Sequence, residues 1–309
     1  MGRRKDPKKG AKLAEAPGAG PITRKILRRI ASAKREKVVD MRLLSAAEKE
    51  AEELAKGLPT PEDLAKLHPA HAAYAIAHNH VATFSEFLSQ LPELRPFVKM
   101  IAEAKDRYLP AGPPWSPLTA SFFTSWALFD ASVGDAEETI GAIVLVVCEA
   151  AGTAPILLSL IAALQRSRMG VYVCERGRGT KVRLRELVTG ATCEAVVPSG
   201  HKGRKGELWY ARVLPPPLPL RPEHVVMSTP YILVEPGRAE WEAYFDRHLP
   251  EGPPEKRVRA YERHMKYGPK RDYWSEFVLN AYQDSTESAI ALVGLPDAPD
   301  TWPPSLLGL

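Results

Sequence analysis

At Met169 the spacing of apolar residues changes from a helical period to alternation, and after Gly237 it changes back. Helices and strands need different periods, near 3.6 and 2, and one pattern cannot serve both. The chain must therefore place a β module between two helical segments. Residues 60–168 carry helical patterns over 61–67, 69–90, 93–108, 117–131, 136–151 and 154–167, parted by breaks such as Pro110-Ala111-Gly112-Pro113-Pro114. Phe84, Phe87, Leu88 and Leu91 line one helical face, and Phe122, Phe123, Trp126 and Phe129 another. A sizeable helical domain buries such stripes as its core.

Beyond Met169, strand signals fall at 171–174, 181–187, 193–197, 207–214, 225–227 and 231–234, with Gly-rich turns between them. Short strands at this spacing predict a small antiparallel barrel or sandwich. Helical patterns return over 238–248, 254–267 and 272–284, and a Pro/Leu-rich tail follows. The expected fold class is α+β. The expected organisation is a basic arm over 1–37, a helical domain over 38–168, the antiparallel β module over 169–235, a helical segment over 236–285 and the tail over 286–309.

The net charge of +5 is unevenly distributed. Residues 1–37 hold 13 Lys/Arg against 3 Asp/Glu, a net of +10, so the rest of the chain carries −5. Residues 1–20 have almost no large apolar side chains to offset the entropy of ordering and are expected to be disordered. From Pro21 a basic amphipathic helix is predicted: Ile22, Ile26 and Ile30 repeat every four residues, and Arg24, Lys25, Arg28 and Arg29 fill the outer surface. A more mixed helix is expected to about Lys56. Cations at this density attract phosphate polymers by releasing condensed counterions. They suit an acidic protein or an anionic membrane surface as well.

The β module adds a second cationic feature. Arg176, Arg178 and Lys181 lie in one Gly-containing loop, and Lys202, Arg204 and Lys205 in another. In a simple meander the two loops leave the same end of the module, with Arg183 beside them. Glycines admit backbone N–H groups to an anion, and the cations add charge attraction. Trp209 and Tyr210 lie just past the second loop, where one of them could stack a base. Solvated hairpin tips have the same composition. The second loop lacks both the residues and the strand-to-helix context of a Walker motif.

Other constellations are weaker. His68, His71, His78 and His80 cluster without the i,i+4 pair a helical zinc site needs. Asp130, Asp135, Glu137 and Glu138 sit near a loop and the start of a predicted helix, where acids complement the dipole, although paired carboxylates also suit metal binding or acid–base work. Cys148, Cys174 and Cys193 read as reduced core thiols, and no C-x-x-C is present. Pro215 to Pro222 should form polyproline II, a stiff connector or a ligand for a groove of SH3 type. The apolar stretch Thr139–Gln165 is divided by Glu149 into runs of 10 and 16 residues, short of the ~20 a spanning helix needs. Two core helices, no integral membrane segment and a cytoplasmic location are expected. No motif calls for a cofactor.

Leu184-Arg185-Glu186-Leu187-Val188-Thr189-Gly190, followed by Gly206-Glu207-Leu208-Trp209-Tyr210-Ala211-Arg212-Val213, resembles a β module of uncharacterised bacterial SEC-C-type proteins. There too a Thr-Gly turn precedes a Gly-led strand with a late arginine. The likeness covers about 45 residues, and the zinc-binding cysteines of that family are missing. It therefore implies a β module but neither a metal site nor an activity. Taken together, the residues favour a non-enzymatic binding or regulatory protein that contacts nucleic acid or another polyanion through the arm and the two loops. One alternative is an enzyme with its site between β module and helices. The other is an interaction subunit that uses the proline segment or the tail.

Overall fold

The computed structural model describes residues 19–36, 61–113, 115–217, 222–286 and 288–302. The expected disorder at the N-terminus, the mixed helix to Lys56, the middle of the proline segment and the end of the tail lie outside them. The fold is α+β. Its N-terminal part holds α1 (Pro21–Glu36), α2 (Pro61–Ala65), α3 (Pro69–Ser89), α4 (Arg95–Tyr108), α5 (Ala120–Phe129), α6 (Ile140–Ala151) and α7 (Pro155–Arg166).

The starts of these helices follow from local chemistry. Proline suits a first turn, where its missing N–H is not needed, and it opens α1, α2, α3 and α7. Thr119 and Thr139 cap α5 and α6, accepting from Phe122 N at 3.1 Å and Ala142 N at 3.2 Å. Helix α6 ends at Gly152, whose φ of +82° a residue with a Cβ adopts only under strain. Between α5 and α6 lies a two-stranded hairpin, β1 (Ser132–Val133) and β2 (Glu138–Thr139). Among the described residues, no helix is long and apolar enough to cross a membrane.

The β module comprises β3 (Met169–Arg178), β4 (Lys181–Glu186), β5 (Thr192–Val196), β6 (Leu208–Leu214), β7 (His224–Val226) and β8 (Tyr231–Glu235). Strands pair in the order β3-β4-β5-β7-β6, and β6 returns to β3, which closes a five-stranded barrel. The barrel is not wholly antiparallel, because β5 and β7 run parallel. Strands β5 and β6 are not neighbours: the loop 197–207 crosses one end of the barrel so that β6 pairs with β3, and β7 fills the gap between β5 and β6, which replaces a meander by a Greek-key closure.

Closure gives the barrel two cores. Tyr172, Cys174, Leu184, Trp209, Ala211 and Val226 point inward. Val171, Val173, Leu208, Tyr210 and Leu214 point outward into the large core shared with the helices. Strand β6 is thus apolar on both faces, which explains its dense run of large side chains. Tyr210 stacks on Trp274 with ring centroids 5.2 Å apart.

Arg212 breaks the apolar pattern. It is buried on the helix side of β6, pairs with Asp130 at the end of α5, and donates to Ser167 O at 3.1 Å and Ser167 Oγ at 2.9 Å. Lys266 Nζ completes the group, 3.6 Å from the other oxygen of Asp130. A buried charge without a partner is costly, so this triad ties α5, the barrel and the C-terminal helices together.

Strand β7 and strand β8 share one side of β6 in different registers. Val213 faces Val226, whereas Leu208 faces Leu233. Residues 227–230 absorb the offset, so the first piece closes the barrel and the second leads the sheet away from it. The chain continues through α8 (Arg238–His248), α9 (Pro254–Tyr267) and α10 (Tyr273–Asn280). The helix expected over 272–284 stops at Asn280, and β9 (Tyr282–Ser285) follows it. The start of the expected tail forms β10 (Ile290–Val293), which joins β8 in parallel and β9 antiparallel.

Candidate nucleic-acid interface

Helix α1 docks by its apolar edge. Thr23, Ile26 and Leu27 are buried, while Arg24, Lys25, Arg28 and Arg29 are exposed on the outside. Its N-terminus meets the carboxylate of Glu138, which accepts from Ile22 N at 2.9 Å, Thr23 N at 2.9 Å and Thr23 Oγ1 at 2.7 Å. A buried anion at a helix N-terminus satisfies donors that have no intrahelical partner and complements the dipole. The described part of the basic arm is therefore attached to the body. Arg29 pairs with Glu93 at 3.1 Å, but Arg24, Lys25 and Arg28 form no ion pair among the described residues.

The acids thought to serve their own helix do other work. Glu138 caps α1, Asp130 holds Arg212, and Glu137, at φ +48°, holds Arg263 at 2.8 Å. The side-chain cap of α6 is Thr139.

The two basic barrel loops come together. A Cβ built on Gly177 would lie 1.8 Å from the carbonyl oxygen of Lys202, so the backbones touch and only glycine fits. Glu207 organises the second loop, accepting from Trp209 Nε1 at 2.8 Å, His201 Nε2 at 3.0 Å and Arg204 N at 3.2 Å. Burial acts to raise its carboxyl pKa, but the hydrogen bonds from His201 and Trp209 outweigh it and leave the value below the ordinary one.

Most of the loop cations are engaged. Arg176 meets Glu194 at 2.7 Å, Lys181 meets Glu223 at 2.8 Å, Arg183 meets Glu175 at 3.0 Å and Arg204 meets Glu207 at 3.2 Å. Among the described residues this leaves Arg178, Lys202 and Lys205 without an acidic partner. Trp209 does not belong to the surface: it is fully buried inside the barrel, with its indole N–H spent on Glu207. The expectation that it or Tyr210 stacks a base is overturned, because Trp209 faces the barrel interior and Tyr210 the core shared with the helices.

The remaining candidates are structural in their contacts. His68 caps α3, accepting from Ala70 N at 3.3 Å, and His78 lies edge-on to Phe129 with burial lowering its pKa to about 4. The Cys148 thiol sits 3.7 Å from His80 Nε2, but it is buried and burial raises its pKa, the reverse of an activated nucleophile. Burial likewise pushes the thiols of Cys174 and Cys193 up to about 11. Among the described residues no three His, Cys, Asp or Glu side chains are grouped to hold a metal ion.

Residues of the Thr-Gly motif also build the barrel. Glu186 takes a two-pronged contact from Arg168, at 2.7 and 3.2 Å, and a hydrogen bond from Thr189 Oγ1 at 2.6 Å. Gly190 supplies the turn with φ +70°. No family model, curated protein or solved structure matches the chain.

Proposed function

We propose that the protein binds polyanions, nucleic acid foremost, through the outer side of α1 and the paired loops at one end of the barrel. One observation carries the reading: α1 is pinned along its buried edge and capped by Glu138, which holds Arg24, Lys25 and Arg28 outward, none of them in an ion pair among the described residues and only Lys25 within longer reach of an acid, Glu93. Cations fixed in this way lose less entropy on meeting phosphates than the same residues on a loose chain. Arg178, Lys202 and Lys205 add a second cluster. By analogy of connectivity alone, the closure order is that of OB-type barrels, which offer their second and third strands to oligonucleotides. The exposed side of β4 and β5 here carries salt-bridged Arg183 and Glu194 and no aromatic ring. Recognition is therefore of phosphate and charge, without base stacking.

The test is binding of the full chain to mixed-sequence DNA and RNA oligonucleotides across a salt series. Affinity should fall steeply with salt, and each lost phosphate contact should flatten the log–log slope by about 0.7–0.9. R24Q/K25Q/R28Q should flatten it more than R178Q/K202Q/K205Q. Failure of the unmodified protein to bind either polymer at low salt would refute the proposal.

A further inference from the structure

The end of the barrel opposite the basic loops is open. Strand ends, the last turn of α7 and one side of α9 enclose a cleft of about 300 Å³, on the order of ten water volumes. Mouths of β-barrels are common ligand sites, and this size is at the lower end for small-molecule pockets. The walls are preformed. Tyr74 Oη donates to Pro215 O at 2.8 Å and fixes one rim, and Tyr261 Oη accepts from Val171 N at 3.0 Å behind the other. Arg168, stacked 4.7 Å above the Tyr261 ring, is matched by Glu186, so that pair contributes shape and no net charge.

Two charges lining the cleft are unmatched. Arg166, at the end of α7, and Glu262, on α9, are both exposed. Neither forms an ion pair among the described residues, although Arg166 lies close enough to Tyr74 to act on its hydroxyl. Val213, Pro215, Tyr172 and Thr192 line the same cleft. Another cavity, about 140 Å³ beside Asp130, differs in that its Glu137 and Arg263 already satisfy each other.

We infer that the lower barrel mouth binds a small zwitterion, an amino acid with an apolar side chain, whose carboxylate meets Arg166 and whose ammonium meets Glu262. An anion alone would leave Glu262 unmatched and repelling, and a cation alone would do the same at Arg166. A polyphosphate is disfavoured by Glu262, so this site stands apart from the polyanion surface.

Calorimetric titration of the full chain tests this with L-leucine, L-phenylalanine, N-acetyl-L-leucine, L-leucinamide and the dipeptide Leu-Leu. A zwitterion should bind saturably at one site, and blocking either charge should weaken it at least about tenfold. R166Q should abolish the penalty for amidation and E262Q the penalty for acetylation. Both variants lie on the surface, and circular dichroism checks that they fold. Tighter binding of Leu-Leu than of leucine would overturn the assignment to a free amino acid. Absence of binding by all zwitterions at millimolar concentration would overturn the inference, as would equal binding of the N-acetylated compound.

Discussion

Replacing Glu138 by alanine should loosen α1 and leave the barrel intact. The carboxylate accepts three hydrogen bonds from Ile22 and Thr23, at 2.7 to 2.9 Å. Loss of a helix cap costs about 0.5–2 kcal/mol. The interaction of a partly buried charge with the dipole contributes up to about 2 kcal/mol. The two overlap, so a joint loss of about 2–3 kcal/mol is expected. At about 1.4 kcal/mol per factor of ten, amide exchange in the buried stretch of α1 should accelerate roughly 30- to 150-fold. Exchange in β3 and β6 should not change. Ile26 and Leu27 still dock, so the helix is weakened and not set free. Gly20→Ala provides an independent route, since its Cβ would lie 2.2 Å from Glu138 Cδ and displace the carboxylate. The double variant should be no worse than E138A alone, because both changes remove one interaction. Hydrogen exchange with mass spectrometry reads all three. A change of less than about threefold in E138A would show that apolar contact alone holds α1, and the reasoning would fail.

Three further outcomes are expected. R212M should cost about 3–5 kcal/mol in denaturant unfolding, because Asp130 is left buried with only Lys266 nearby, and adding D130N should restore part of it; a cost under 1 kcal/mol would contradict the triad's role. Burial, opposed by Asp130, lowers the Lys266 pKa to about 8. Between that value and its ordinary one of 10.5 the unfolded chain holds a proton that the folded chain lacks, so this group makes stability rise with pH across that window. Stability curves of wild type and K266M at pH 8 and 10 should therefore diverge, and parallel curves would rule the shift out. G177A should force the two barrel loops apart, seen as faster exchange over 200–206 with a loss of about 1–3 kcal/mol; an unchanged loop would mean that the close approach is not required.

Much of the architecture can be read from periodicity. Helices α8 and α9 and most barrel strands fall within a residue or two of their predicted bounds, because each buries a face whose period is local. The meeting of the two basic loops follows from strand alternation and the glycine at 177. What periodicity misses is what depends on a distant partner. Strands β9 and β10 are four residues each and gain stability only against β8. Trp209 alternates properly for a solvent-facing stack, but β6 is buried on both sides, so alternation does not identify a wet face. The acids that engage Arg176 and Lys181 come from other strands or loops, and only the strand register brings them close. Glu138 looks like a first-turn acid of the helix beside it, yet it serves one 115 residues away.

That last contact bears on the order of assembly. Helix α1 is synthesised before the residues that cap it, and its cap does not exist until the hairpin before α6 has been made and folded. An isolated helix of this length is marginal in water. Closing so long a loop carries an entropic cost that is recovered only after its far end is in place. The segment translated early is thus among the last to be fixed. During that interval its cations are held by nothing, and its isoleucines remain open to solvent.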